Sequence, residues 1–142
     1  MIKTELQANI KDAMKAKNKV LLLTLRGLSA AVKQYEVDNR KDAEEVIIID
    51  IFKKEIKKRR DSIEFAQKNN RQDLVDKEEA EIKILQEYLP AQYSNEKLEE
   101  LIQTQISSGA DNLGKIMSAL NADHKGKFEG KIASQLAKKL LS

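Results

Sequence analysis

The sequence has no cysteine and no tryptophan, a single proline and a single histidine. Without cysteine, disulfides, thiol nucleophiles and thiolate metal sites are all excluded. His124 alone makes no metal-ligand set, and no serine stands with a recognisable base. Aromatic residues are 4% of the chain, three Phe and three Tyr, too few for a base-stacking platform. Any nucleic-acid contact therefore falls mainly on phosphates. No apolar run approaches the roughly 20 residues of a membrane-spanning helix. The start, Met1-Ile2-Lys3-Thr4-Glu5, leads into a charged amphipathic run instead of an apolar signal core. These absences lead to the expectation of a cytoplasmic protein with no membrane segment and no cofactor.

What is abundant is charge. Charged residues make up 35% of the 142 and hydrophobic residues 41%, a balance that long helices with narrow buried stripes explain. The 26 basic and 23 acidic residues leave a net charge of +3. That bias permits nucleic-acid association without requiring it, because interspersed acids cancel much of the long-range field.

The stretch from Asp42 to Pro90 organises the rest. Asp42 followed by Glu45 fits a capping box, and Val46, Ile49, Phe52, Ile56 and Ile63 then trace a helix face, with Arg59 or Arg60 in the intervening turn. An arm from 43 to 67 would be roughly 37 Å long at about 1.5 Å per residue. Asn69-Asn70 breaks it, and Leu74, Ile82, Leu85 and Leu89 mark a returning face, with Glu78 in the missing turn. Pro90 closes the pair. The spacing predicts two antiparallel helices. Lys53, Lys54, Lys57, Lys58, Arg59 and Arg60 make the first arm basic, while Asp73, Asp76, Glu78, Glu79, Glu81 and Glu87 make the second acidic. The basic run reads either as a solvated helix exterior or as a phosphate-tracking stripe, and the acidic arm alongside would neutralise much of it.

Before this hairpin, Ile2, Leu6, Ile10 (or Asn9), Ala13 and Met14 predict a first helix, ended by the polar Lys17-Asn18-Lys19. Leu21, Leu25, Leu28, Val32 and Tyr35, widened by Val20, Leu22 and Leu23, predict a second and the most buried one. Gly27 costs that helix about 1 kcal/mol relative to alanine, as expected where a neighbouring helix approaches closely. Arg26 beside it is either a charged edge or a partner for an acid on the long arm. Residues 36 to 42 are expected to be a polar connection. Beyond Pro90, Ser94 reads as the cap of a helix through Leu98, Leu101, Ile102 and Ile106, ended by Ser107-Ser108-Gly109. Asn112 or Asp111 caps the next, through Leu113, Ile116, Met117 and Leu120. Ile132, Ala133, Leu136 and Leu140 outline the last. The fold expected is all-α: an N-terminal helical domain over residues 1–89 containing the long hairpin, and a small three-helix domain over 90–142.

Chemistry along this chain is sparse. Gly109 to Lys115 has the spacing of a phosphate-binding loop, but Ile116 stands where a magnesium-binding Ser or Thr is needed, and a helix precedes it instead of a strand. His124 reads as a solvated loop residue. Carboxylate pairs at helical spacing, such as Glu78 with Glu81, lack predicted shelter, and no catalytic residue is assigned. The most suggestive segment is His124 to Lys131. Gly126 and Gly130 let the backbone turn, and Lys125, Lys127 and Lys131 surround them. Amides at the helix start near Gly130, with these ammonium groups, could hold a phosphate; the alternative is an ordinary surface turn. Residues 123 to 142 carry five lysines against two acids, which favours the tail as the nucleic-acid-facing part.

Lys58-Arg59-Arg60-Asp61-Ser62-Ile63-Glu64-Phe65, Asn70-Arg71-Gln72-Asp73-Leu74, Lys77-Glu78-Glu79-Ala80-Glu81-Ile82 and Leu85-Gln86-Glu87-Tyr88-Leu89-Pro90 together resemble the YqeY-like family of small bacterial proteins. Met14-Lys15-Ala16-Lys17 and Leu25-Arg26 also fit. Asn70 stands where glycine is usual, and asparagine tolerates the left-handed backbone such a turn needs. Through Gly114-Lys115-Ile116-Met117, Lys125-Gly126-Lys127 and the Leu136 to Leu141 helix, the tail is similar to the C-terminal domain of the B subunit of glutamine-dependent aspartyl/glutamyl-tRNA amidotransferase. Phe128-Glu129 departs from that pattern, where small or polar residues are usual. The resemblance implies a helical domain that helps hold tRNA while other parts of the complex perform the chemistry. It therefore implies a non-catalytic accessory module that contacts tRNA or a tRNA-handling complex through Lys125, Gly126, Lys127 and Lys131. A protein-interaction module docking through the charged hairpin, and a component of an amidotransferase complex carrying the family's carbon-nitrogen ligase activity, are the alternatives.

Overall fold

Helical periodicity along the chain becomes seven helices and no strand in the computed structural model, which describes all of residues 1–142. They divide into two compact units, Met1–Tyr88 and Leu89–Ser142. The first unit contains α1 (Ile2–Lys15), α2 (Lys19–Asn39), α3 (Glu45–Lys68) and α4 (Gln72–Gln86). The second contains α5 (Asn95–Ser107), α6 (Leu113–His124) and α7 (Gly130–Leu141).

In the first unit, α1 buries Ile2, Leu6 and Ala13, while Met14 is exposed. Lys17 adopts a positive φ of 56°, and the Asn18 carboxamide accepts a hydrogen bond from the Leu21 N–H at 3.2 Å to start α2. Leu25, Leu28 and Val32 form the buried face of α2, but Val20 and Leu23 do not widen it: they are 76% and 74% exposed. A Cβ added at Gly27 would meet nothing within 4 Å, so this glycine answers to no close helix approach within the first unit. Arg26 is an exposed edge residue. The helix also continues through Asn39, taking up four of the seven residues of the expected polar connection, and stops where Arg40 turns left-handed at φ 52°. More residues are buried on α3, namely Ile48, Phe52, Ile56, Ile63 and Ala66, than on α2.

The start of α3 differs from the capping box expected at Asp42. Glu44 holds the cap position without a side-chain cap bond. Glu45 turns instead to α1, where its Oε1 accepts from the Ile2 N–H at 2.9 Å. One carboxylate thus satisfies an orphan amide of another helix, a long-range use that local spacing does not reveal. Val46 is consequently exposed, and Ile48 is the buried residue of the first turn.

The hairpin register is fixed by three observations. Phe52 meets Tyr88 edge to face at 5.6 Å between ring centroids, Arg59 reaches Glu81, and Phe65 and Leu74 line one groove near the turn. Each pair has residue numbers adding to about 140, the signature of antiparallel arms folded about residue 70. Asn70 itself has φ 56°, the left-handed conformation expected of the turn.

In the second unit, the Ser94 hydroxyl accepts from the Lys97 N–H and the Asn112 carboxamide from the Lys115 N–H, capping α5 and α6. Gly109, at φ 107°, ends α5. Leu98, Ile102, Ile116, Leu120, Phe128, Ala133 and Ala137 form the core, with Leu136 and Leu140 packed at its edge. Phe128 is the largest fully buried side chain among them, at 1% exposure.

Candidate nucleic-acid interface

The basic loop is built by its neighbours in the tail. Helix α6 ends at His124, the chain passes through Lys125 and Gly126, and α7 opens at Gly130 with Glu129 in the cap position. Gly126 has φ 85°, a conformation that side-chain-bearing residues rarely adopt. Phe128 drives into the core immediately afterwards, anchoring the loop from below. The departure from the amidotransferase-tail pattern at Phe128 is therefore a core residue of this unit.

The segment from Pro90 to Tyr93 clamps the loop from the side. The Gln92 carboxamide donates to the carbonyls of both Pro90 and Gly126 at 2.7 Å, and the Tyr93 N–H donates to the Lys127 carbonyl at 2.7 Å. The Lys127 N–H in turn donates to the His124 carbonyl at 3.1 Å. Tyr93 Oη lies 2.9 Å from His124 Nδ1, with the two rings edge to face at 5.4 Å. His124 is thus half-buried and tied to Tyr93, not the solvated loop residue expected from its polar surroundings. Gln92 and Tyr93 carry no motif of their own, and only the folded chain brings them to the loop.

With these carbonyls turned inward, Lys125 and Lys127 are exposed, and Lys131 is half-buried in the first turn of α7. Lys127 Nζ stands 6.0 Å from the Tyr93 ring centroid, at the outer limit of a cation–π contact. Backbone amides at the start of α7 add their partial positive charge. Glu129 brings a carboxylate into the same helix start, so the local field is basic but not purely so.

The other basic candidate is partly spent within the hairpin. Arg59 Nη1 and Lys58 Nζ reach Glu55 at 3.2 and 3.0 Å, while Arg59 Nη2 reaches Glu81 across the arms at 3.3 Å. Burial pushes the Glu55 carboxyl up, but the hydrogen bonds from Lys58 and Arg59 outweigh it and hold it below its ordinary value. Glu78 moves the other way, raised by burial and by the Glu81 charge. Near the turn, Asp61, Ser62, Phe65, Leu74 and Glu78 line a groove of about 400 Å³, with Phe65 68% exposed. No group of three or more His, Asp or Glu is arranged to hold a metal ion.

The family of Yqey-like proteins matches residues 3–141, almost the whole chain. The chain belongs to this family. Among curated relatives of this YqeY-like protein, altered inheritance of mitochondria protein 41 from Lachancea thermotolerans is 45% identical over 85 residues, 59% of this chain and 46% of the relative. The protein of the same name from Kluyveromyces lactis is 42% identical over 87 residues, covering 61% and 47%. That from Pyrenophora tritici-repentis is 30% identical over 128 residues, covering 86% and 70%. The YqeY-like chain thus spans about half the length of the first two. These relatives are named as mitochondrial proteins, which overturns the cytoplasmic expectation. The physical reason is plain: a charged amphipathic helical protein satisfies the same composition rules in an organelle as in the cytoplasm. No helix here is long and apolar enough to cross a membrane.

Proposed function

We propose that this YqeY-like protein is a non-catalytic accessory module that contacts tRNA, or a complex handling tRNA, through Lys125, Lys127 and Lys131 around Gly126. The observation that carries this reading is the clamped loop. Gln92 and Tyr93 occupy the carbonyls of Gly126 and Lys127, so the loop offers three ammonium groups and a helix start beside the Glu129 carboxylate, a net basic combination suited to phosphate oxygens. The scarcity of aromatic residues argues against base stacking, and the reading therefore predicts contact that is general across sequences. The mitochondrial names of the curated relatives attach an organellar setting to it.

The test is binding of purified protein to total tRNA over a range of salt, beside a variant with Lys125, Lys127 and Lys131 all changed to alanine. Affinity should fall as salt rises, and the variant's log–log salt slope should be shallower by about 2 if three phosphate contacts are lost. Absence of binding by both proteins at low salt rejects the reading. A second reading, docking of a partner protein on the hairpin, is favoured by one observation: the exposed Phe65 beside the groove of Asp61, Ser62, Leu74 and Glu78.

A further inference from the structure

Helix α2 carries apolar residues on two faces. The inner face, Leu25, Leu28 and Val32, is buried. On the far side, Val20, Leu23, Gly27, Ala30, Gln34 and Val37 succeed one another at spacings of three and four, the repeat of a coiled-coil seam. All six are exposed, Val20 at 76%, Leu23 at 74% and Val37 at 64%, and nothing lies within 4 Å of where a Gly27 Cβ would be. The seam has room for another helix to approach closely, and nothing of the first unit lies upon it.

The edges of the seam state what it would accept. Lys19, Arg26 and Lys33 flank it at seven-residue intervals on one side, and all three are exposed. On the other side Thr24 is buried and Ala31 half-buried, so approach is open from the basic edge, with Asp38, which accepts from Gln34 at 2.8 Å, at the far end. A second copy fits poorly. Antiparallel pairing sets the three cations against their own copies, and parallel pairing offers them one acid, Asp38. A lipid surface fits less well than a helix, because the stripe is narrow, lacks aromatic anchors and has Gly27 and Ala30 at its centre.

We propose that the outer face of α2 is a docking surface for an acidic amphipathic helix of a partner protein, its apolar residues seated over Leu23 and Gly27 and its carboxylates along Lys19, Arg26 and Lys33. The surface is independent of the basic loop in the tail.

The test uses the full chain and two designed helical peptides sharing one leucine seam, one flanked by glutamate and the other by lysine, followed by fluorescence anisotropy. The glutamate peptide should bind about tenfold or more tightly than the lysine peptide, a difference that shrinks as salt rises. Leu23→Glu, at an exposed position, should weaken it at least about tenfold with helical content unchanged, and Arg26→Glu should narrow the preference between peptides. Equal binding of both peptides, or none, overturns the proposal. So does a dimer in sedimentation equilibrium that Leu23→Glu dissolves, which would assign the face to a second copy. Anionic phosphatidylserine vesicles that bind through Leu23 while the glutamate peptide does not would overturn it in favour of a lipid surface.

Discussion

Removing the Arg59 guanidinium leaves two glutamates facing one another across the hairpin, because Arg59 is the cation shared by Glu55 and Glu81. All three side chains are mostly covered, at 16 to 18% exposure, yet still touch water, which discounts the loss. Arg59→Met should cost about 1–2 kcal/mol in urea unfolding at pH 7. The cost should shrink in acid, as Glu55 becomes neutral. Glu55 is held below its ordinary 4.5, so its stabilising contribution is present above that value and is lost as pH falls through the lowered folded-state pKa. Glu36 has the same sign, lowered first by the Lys3 hydrogen bond and then by the Ala43 N–H. Glu78 has the opposite sign. Its raised pKa means that ionisation costs stability, which is fully present below the ordinary 4.5 and falls as pH rises through the folded-state value. Glu78→Gln should therefore raise the Tm at pH 7, and this gain over the parent should vanish in melts below about pH 4.

Among the elements, the Pro90 to Tyr93 segment governs the basic loop although it belongs to no helix. Gln92→Ala removes the donor to both Pro90 and Gly126. Amide exchange at Tyr93 and Lys127 should then accelerate about tenfold, as the loss of one to two hydrogen bonds implies. If the loop contacts tRNA as proposed, affinity should fall with all three lysines intact. Such a pairing lies beyond sequence reasoning because Gln92 and Gly126 are 34 positions apart. The helices were legible for the contrary reason: their signals are local, as at Ser94 and Asn112, whose caps are where the sequence places them. Legibility failed in two ways within helices. In the continuous run Val46-Ile47-Ile48-Ile49, every residue is apolar, so spacing cannot say that Ile48 is the one turned inward. On α2, both faces are apolar, and Val20 and Leu23 read as core when they lie outside. The lysines of the loop were visible as composition; the tyrosine, glutamine and phenylalanine that shape it were not.

For the molecule as a whole, two units with separate cores imply separable stabilities. Phe128 is the largest buried side chain of the tail, and Phe128→Ala should cost about 3–5 kcal/mol, enough to unfold so small a unit. In methyl NMR, signals from Ile102 and Ile116 should collapse while those of Leu25, Leu28 and Ile56 keep their dispersion. Simultaneous loss of both sets would show instead that the units unfold as one. The clamp has a mechanical corollary. Residues 90 to 93 are the first stretch of the tail met by tension entering from the hairpin. Two hydrogen bonds, from Gln92 to Gly126 and from Tyr93 to Lys127, take that load ahead of the helical core. A pull on the chain would slacken the lysine loop while α5, α6 and α7 were still folded, making the loop's shape sensitive to force.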